Sequence, residues 1–412
     1  MVNRYTQGSR SDLEERKLGR RLQRMGTSHS GDHQTRKLTG AVLFRGHHGI
    51  KTGRTFVYNG SFAHDAALTV DTDHRPLTIP NLSMQLVDRF ARVHNNLRIS
   101  VTDRCNIRCV YCMPNEDVQF RDREEILSFE EITRFVRVAA RLGVNKLRLT
   151  GGEPLVRQDL PSLIQQLRAV PGIEDIAMTT NGILLGQQAY ELYDAGLQRL
   201  NISLDTLNEE VFQEIARRPG LRRVLEGIFA ARRAGFKNIR LNALAISGLN
   251  EEDILPLVEF ARRHDFELRF IEFMPLDAED NWQRRQVVSG EVIRERLESA
   301  YGPLVPVDRY DRSQPAVDSR FSDGRGRIGF INPVTQPFCG NCNRLRLTAE
   351  GQIRNCLFST EEWDARALLR GGGNDEQLAE LVRRAVGAKK AGHGIDSDDF
   401  IKPDRAMYQI GG

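Results

Sequence analysis

From residue 97 onward, short apolar segments with the character of strands alternate with amphipathic segments of helical period. The predicted strands span residues 97–102, 146–150, 175–180, 199–204, 238–245 and 268–274. The predicted helices between them span residues 129–142, 160–169, 187–195, 222–234 and 254–264. Strands that alternate with helices form parallel βαβ units. The sequence therefore predicts an α/β fold with a partial (βα)6 barrel, whose chemistry takes place at the carboxyl ends of the strands.

The pattern changes after residue 285, where glycine, proline and aspartate become frequent. We predict a disordered N-terminal extension at 1–84, the partial barrel at 85–285 and a smaller C-terminal α+β domain at 286–412. A chain of 412 residues is long enough for two such domains. The extension shows little apolar periodicity, and Met84 is an alternative translation start.

Composition restricts the possible partners. Charged residues make up 28% of the chain and hydrophobic residues 40%, as in ordinary soluble proteins. The sequence has no apolar run long enough for a transmembrane helix, so we expect no membrane partner. A net charge of +4 does not favour nucleic acid. The acidic residues near the N-terminus are atypical of a transit peptide, so we expect the cytoplasm rather than the mitochondrial matrix.

The six cysteines fall into two triplets. They are Cys105, Cys109 and Cys112, directly after the first predicted strand, and Cys339, Cys342 and Cys356 near the C-terminus. Thiolates bind zinc or iron–sulfur clusters in preference to hard cations. Zinc sites of the structural kind need four ligands, and each triplet offers three. Three thiolates can hold three irons of a [4Fe–4S] cube and leave the fourth iron open, so the spacing predicts two such clusters.

Two other uses of the cysteines stay open from the residues alone. Three disulfides would need an oxidising compartment, for which the sequence offers no apolar signal segment. Two structural zinc sites would each need a fourth ligand, and no histidine lies close to the first triplet. We therefore favour the two clusters over both alternatives.

Two motifs together resemble the radical S-adenosylmethionine superfamily. The first is the Cys-x3-Cys-x2-Cys run after the first strand, and the second is Thr150-Gly151-Gly152-Glu153-Pro154 after the second strand. The resemblance implies that the open iron of the first cluster holds the amino and carboxylate groups of S-adenosylmethionine. It also implies a barrel of the radical S-adenosylmethionine type. By the same resemblance, the cofactor-binding residues are Tyr111, Gly152, Ser203 and Met274.

Longer segments are similar to the GTP 3′,8-cyclase family over residues 85–412. They are Leu97–Cys105, Thr179-Thr180-Asn181-Gly182, Arg269–Met274 and the spacing of the second triplet. This resemblance implies cyclisation of GTP to (8S)-3′,8-cyclo-7,8-dihydroguanosine 5′-triphosphate, the first step of molybdenum cofactor biosynthesis. A radical generated at the first cluster does this chemistry, so no acid–base catalytic residue is expected. The second cluster would bind the guanine edge.

The resemblance also implies a set of GTP-binding residues, most of them cationic. They are Arg98, Lys146, Arg148, Thr179, Arg240, Arg269, Arg344 and Arg346. Arginine suits phosphate oxygens because its guanidinium can donate two parallel hydrogen bonds. Arg240 stands where the family often has lysine. The terminal Gly411-Gly412 pair resembles the family's C-terminal glycines, which implies that the tail enters the active-site pocket.

Two competing interpretations remain at this point. Another two-cluster radical enzyme could oxidise a peptide or protein side chain, without cations for a triphosphate. An electron-transfer module would normally supply four thiolates to each cluster, which two incomplete triplets do not. The partners that we expect are GTP, an unidentified electron donor, a second copy in a homodimer and, downstream, a cyclic pyranopterin monophosphate synthase.

Overall fold

The computed structural model describes residues 85–411, apart from residues 114, 116, 278–280, 310 and 399. The predicted N-terminal extension, with Met84, and the terminal Gly412 lie outside the described residues. The described strands are β1 (Asn96–Ser100), β2 (Lys146–Thr150), β3 (Asp175–Thr180), β4 (Arg199–Ser203), β5 (Ile239–Ala245), β6 (Glu267–Glu272), β7 (Leu304–Pro306), β8 (Val317–Phe321), β9 (Arg327–Ile331), β10 (Arg344–Leu347), β11 (Gln352–Arg354) and β12 (Trp363–Asp364). The described α-helices are α1 (Phe129–Arg141), α2 (Leu160–Arg168), α3 (Leu185–Asp194), α4 (Glu209–Ala216), α5 (Leu221–Ala234), α6 (Ile254–His264), α7 (Gly290–Tyr301), α8 (Ala365–Arg370), α9 (Asp375–Gly387) and α10 (Met407–Ile410).

All twelve described strands belong to one sheet, in the order β12-β11-β10-β1-β2-β3-β4-β5-β6-β9-β8-β7. Neighbouring strands are parallel from β10 through β1–β6 to β9. The outer pairs on both sides are antiparallel. The α/β prediction is confirmed, and the carboxyl ends of the parallel strands meet at one edge, where the barrel has its mouth.

The C-terminal residues extend the barrel sheet on both sides. Strand β9 pairs with β6, and β10 pairs with β1 on the opposite side. A hairpin turn that includes Glu350-Gly351 joins β10 to β11. The division into domains at residue 285 stays a prediction, but the hydrogen-bonded sheet runs across it.

Helix α1 shows why the sequence forms these elements. Ser128 caps its first turn, because the Ser128 hydroxyl accepts from the Glu131 amide at 3.2 Å and the Glu131 carboxylate accepts from the Ser128 amide at 2.7 Å. Its apolar face, which includes Ile132, Phe135 and Val136, is buried against the sheet-side core. Such reciprocal capping stabilises the start of a helix.

Helix α4 is one that the sequence prediction omitted. The side chain of Asn208 accepts hydrogen bonds from the amides of Glu210 and Val211, which starts the helix directly after β4. Phe212 and Ile215 are buried and line the wall of a cavity at the barrel mouth.

Among the described helices, none combines the length and the apolar character needed to span a membrane.

Candidate active site

The first cysteine triplet lies at the barrel mouth, in the loop that follows β1. Cys105, Cys109 and Cys112 all line one cavity, together with the glycines after β2 and the residues that end β3 and β4. The loop is held in place by backbone hydrogen bonds, including one from the Cys112 amide to the Cys109 carbonyl at 3.0 Å. The structure therefore brings the three predicted ligands to one wall.

The glycine motif after β2 is bonded directly to this cysteine loop. The Gly152 amide donates to the Thr102 carbonyl at 2.7 Å, and the Glu153 amide donates to the Arg104 carbonyl at 2.8 Å. A Cβ atom on Gly152 would lie 2.3 Å from the Arg104 carbonyl oxygen. Only glycine permits this approach, so the motif fixes the cysteine loop against β2.

The donor set fits an iron–sulfur cluster. Burial raises the pKa of Cys105 to about 11 and that of Cys112 to about 12, so each thiol would release its proton on binding iron. In the described part of the chain, no three cysteine, histidine or acidic side chains are grouped to hold a single metal ion. In a cube, by contrast, each thiolate binds its own iron, and three ligands spread along one wall are suited to that.

A tyrosine–carboxylate pair separates this cavity from a larger one. The Tyr111 hydroxyl donates to Asp205 Oδ2 at 2.7 Å, and the Leu244 amide donates to Asp205 Oδ1 at 2.8 Å. Burial raises the pKa of Asp205 to about 6. Tyr111, Ser203 and Asp205 line both cavities, whereas Met274 lines the larger one. Of the four residues predicted for S-adenosylmethionine, three line the cysteine cavity and Met274 lies beyond it.

The larger cavity collects the predicted GTP-binding residues. Its lining includes Arg98, Lys146, Arg148, Thr179, Arg240, Arg269, Arg344 and Arg346. Strand register explains this convergence, because Arg98 on β1 is aligned with Arg148 on β2 and with Arg346 on β10. Three guanidinium groups thus stand side by side across three adjacent strands, near the mouth of the barrel.

These arginines carry uncompensated positive charge. The Nε atoms of Arg98, Arg344 and Arg346 are buried and lack a hydrogen-bond partner among the described residues. Burial and the charge of Arg344 lower the pKa of Arg346 to about 10, and burial together with nearby arginines lowers that of Arg148 to about 9. Both values remain above neutral pH, so the guanidinium groups stay charged. Such a cavity favours a polyanion.

Other cations in the cavity already contact carboxylates. Lys146 Nζ lies 2.8 Å from Asp311 Oδ2. Arg240 Nε and Arg269 Nε donate to the same oxygen of Glu267, at 3.0 and 2.7 Å. The carboxylate of Glu267 therefore compensates part of the positive charge that Arg240 brings to the cavity.

The second triplet lines a third cavity. Cys339, Cys342 and Cys356 share it with Lys389, while their chain neighbours reach the larger cavity. Burial alone would raise the pKa of Cys342. The positive charges of Arg344 and Lys389 stabilise its thiolate, however, and the pKa is lowered to about 6. Three thiols and a nearby cation fit an anionic, thiolate-bound cluster.

Three residues of the site were missed by the sequence analysis. Asn181 follows β3, and its side-chain amide lies 3.7 Å from Cys105 Sγ. Asp311 belongs to the loop between β7 and β8 and Lys389 to the segment after α9, and neither carries a local signal in the sequence. Asn181 could have been found, because it belongs to the Thr-Thr-Asn-Gly segment already noted.

Known protein families match most of the described chain. Residues 99–261 match the radical SAM superfamily, and residues 266–395 match Molybdenum Cofactor Synthesis C. The GTP 3′,8-cyclase of Rhodopirellula baltica is 53% identical over 330 residues, which cover 79% of this chain and 92% of the relative. The chain belongs to the GTP 3′,8-cyclase family. A relative with the same name from Corynebacterium glutamicum (strain ATCC 13032) is 43% identical over 364 residues, covering 86% of this chain and 94% of that protein.

Membership in the GTP 3′,8-cyclase family confirms several predictions. The chain is a radical S-adenosylmethionine enzyme of molybdenum cofactor biosynthesis, with S-adenosylmethionine and an iron–sulfur cluster as cofactors. Its fold also resembles the crystal structure of Streptococcus suis SuiB bound to S-adenosylmethionine, with a TM-score of 0.51 and 15% identity. That alignment covers 71% of this chain and 68% of SuiB, and at this identity it concerns the fold alone.

Proposed function

We propose that this chain converts GTP to (8S)-3′,8-cyclo-7,8-dihydroguanosine 5′-triphosphate in the two connected cavities at the barrel mouth. The observation that carries the proposal is the row formed by Arg346, Arg98 and Arg148 on adjacent strands. The buried Nε atoms of Arg98 and Arg346 lack hydrogen-bond partners among the described residues, which is unfavourable, and a triphosphate offers several charged oxygens to the row. The ribose of a nucleotide bound there would extend toward Tyr111 and Asp205, which border the cysteine cavity.

Residues of this chain would hold S-adenosylmethionine against the first triplet. Gly152 lines the cysteine cavity, Ser203 ends β4, and Tyr111 stands between the two cavities. When bound, the first cluster would supply the electron for reductive cleavage of S-adenosylmethionine, and the radical chemistry that follows would remove H3′ of GTP and join C3′ to C8. One further electron, from the external donor, and a proton would complete the dihydro product. The apolar residues Ile107, Phe212 and Ile215 on the cavity wall would limit the access of water to this step.

We propose a second [4Fe–4S] cluster at Cys339, Cys342 and Cys356, with an open iron for the guanine edge. Support comes from the neighbours of these cysteines, Phe338, Asn343 and Leu357, which line the larger cavity beside Arg344. A homodimer, an external electron donor and a downstream cyclic pyranopterin monophosphate synthase complete the expected partners. The predicted roles of Met274 and Arg240 also belong to this proposal.

The test is an anaerobic assay of the purified chain with S-adenosylmethionine, a chemical reductant and GTP. We expect about eight irons per chain, from four in each cube, formation of 5′-deoxyadenosine, and a cyclised nucleotide as product. Replacing GTP by ATP serves as the matched control, since it keeps the triphosphate but changes the base. Cleavage of S-adenosylmethionine without any cyclised nucleotide would contradict the proposal and favour a radical enzyme that acts on a peptide.

A further inference from the structure

A single buried lysine stands behind the second cysteine triplet. Lys389 follows α9 and is 3% exposed, and it is the one lysine among the described residues that is buried. It lines the cavity of Cys339, Cys342 and Cys356, and neither the family resemblance nor the comparisons assign it a role. Lysine is rarely buried without a charged partner, so its position needs a cause.

The contacts of Lys389 place its charge next to the cysteines. Its ammonium donates to the carbonyl of Arg344 at 2.9 Å and to the carbonyl of Asn355 at 2.5 Å. Arg344 is two residues after Cys342, and Asn355 directly precedes Cys356. The lysine therefore joins the two chain segments that carry these two ligands.

No carboxylate in the described part of the chain forms an ion pair with Lys389. Burial disfavours the charged form of Lys389, and so do the charges of Arg344 and Arg346, whereas Cys342 and Cys356 would favour it as thiolates. Burying an unpaired charge is strongly unfavourable in general. A thiolate-bound cluster beside Lys389 would supply the missing negative charge.

A buried clamp fixes the loop after Lys389. Arg92 donates to the carbonyls of Lys390 at 2.7 Å, Ala391 at 2.8 Å and Cys339 at 2.7 Å. Its Nε in turn donates to Asp88 Oδ2 at 2.6 Å. This clamp ties the third ligand, Cys339, to the same loop and leaves the lysine little freedom to move away from the triplet.

We infer that Lys389 is a positioning residue for the second cluster, where its fixed positive charge compensates the thiolates and makes the cluster easier to reduce. The inference rests on the proposed second cluster. Net charge and hydrogen bonds near the sulfurs set the reduction potential of such clusters. A positive charge favours the state with one more electron, so removing it lowers the potential.

The experiment uses the full chain in which Cys105, Cys109 and Cys112 are all changed to alanine, so that only the second triplet can bind iron. Iron is counted after anaerobic reconstitution, and the midpoint potential is measured by a redox titration followed by electron paramagnetic resonance. We expect about four irons per chain in this background. If this triple variant binds no iron, the proposed second cluster is wrong, and so is this part of the proposed function.

Four substitutions in that background separate charge from hydrogen bonding. Lys389→Met and Lys389→Gln remove the charge, but the glutamine can still donate to the two carbonyls. We expect both to shift the midpoint to a more negative potential, while Lys389→Arg stays close to the parent. Lys390→Met is the control, because Lys390 is an exposed neighbour that lines the same cavity.

Two results would overturn the inference while leaving the second cluster in place. One is a midpoint potential of the Lys389→Met variant that equals that of the Lys390→Met variant, with four irons bound in each. The other is a Lys389→Gln variant that behaves like the parent, which would assign the role to hydrogen bonds. If the methionine variant loses its iron, the iron content of the arginine and glutamine variants is compared instead. The arginine variant should keep the cluster and the glutamine variant should lose it. Equal iron content in these two variants would reject a role for the charge.

Discussion

Lys146 on β2 and Asp311 in the loop after β7 form an ion pair of 2.8 Å at the wall of the larger cavity. Both side chains are about one-third exposed, at 32% and 38%. The Asp311 carboxylate is therefore paired with Lys146, a cation that the proposed function assigns to the triphosphate. We therefore expect Asp311 to compete with a phosphate oxygen for Lys146.

We predict that Asp311→Asn binds GTP more tightly than the parent chain. The carboxylate competes with phosphate for Lys146, and exposed pairs of this kind contribute about 0.2–1 kcal/mol. The gain in affinity should therefore be less than about sixfold. Equilibrium binding of GTP measures it, with Asp323→Asn as a control on a surface carboxylate. Weaker binding would show that Asp311 helps to hold the nucleotide.

The second prediction concerns Arg346 on β10. Arg346→Ala should weaken GTP binding by about 1.5–3 kcal/mol, because a charged hydrogen bond to phosphate is lost. This corresponds to roughly 10- to 150-fold in the dissociation constant. Arg344→Ala should behave similarly, and both variants should keep their iron. Arg325→Ala, at an exposed arginine paired with Asp323, is the control, and unchanged affinity in both test variants would exclude them from the site.

Local patterns explain why this cavity was predictable. Successive side chains of a strand point to opposite faces, so cations two residues apart on one strand reach the same face. Lys146 with Arg148, and Arg344 with Arg346, have this spacing. The set as a whole was implied by the family resemblance, and all eight predicted GTP-binding residues line the larger cavity. The predicted strands and helices agree with the described ones to within about two residues at each end, which is usual for element boundaries.

Pairing over long distances in the chain could not be predicted in the same way. Strands β9 and β10 join opposite sides of the barrel sheet, although only 12 residues separate Ile331 from Arg344. Asp311 and Lys389 reach the site only through these pairings. A short sequence segment gives no indication that Asp311 or Lys389 belongs to the site. Their role depends on which residues the complete fold brings next to them.

The third prediction is that Gly152→Ala loses the first cluster. A Cβ atom at this position would lie 2.3 Å from one backbone carbonyl oxygen and 2.6 Å from another, those of Arg104 and Asp103. The cysteine loop would have to move away from β2. We expect lower iron content and loss of S-adenosylmethionine cleavage. Gly387→Ala is the matched control, because a Cβ atom there meets nothing within 4 Å, and an alanine variant at Gly152 with full iron would contradict the argument.

The fourth prediction concerns pH and His94. Burial lowers the pKa of His94 to about 4 from 6.5, even though Asp88 accepts a hydrogen bond from it at 3.0 Å. Below pH 6.5 the unfolded chain therefore binds a proton that the native chain does not, and stability falls as the pH decreases toward 4. The loss is at most about 1.4 kcal/mol per pH unit.

Thermal unfolding of the parent chain and of His94→Gln, at pH 7.5 and pH 5.5 under anoxia, measures this effect. The glutamine variant removes the titrating group but can still donate to Asp88. Its midpoint should fall less on acidification than that of the parent. An equal fall in both proteins would assign the acid sensitivity to other groups.

The last prediction concerns the C-terminal tail. Helix α10 ends at Ile410, which is fully buried, and Gly411 follows with a positive φ of 80°. A Cβ atom on Gly411 would lie 2.8 Å from Thr150 Oγ1 and 2.9 Å from Ser100 Cβ, at the carboxyl ends of β2 and β1. The tail therefore reaches the barrel mouth, and its conformation favours glycine.

We expect Gly411→Ala, or deletion of the last two residues, to reduce cyclisation strongly while both triplets keep their iron. Cleavage of S-adenosylmethionine should persist, because the tail would position the nucleotide rather than generate the radical. Product formation from GTP is compared with the parent at matched iron content, and Gly387→Ala again serves as the control for a glycine in open space. Equal turnover in the parent and the deletion variant would mean that the tail merely packs against β1 and β2 and has no part in the reaction.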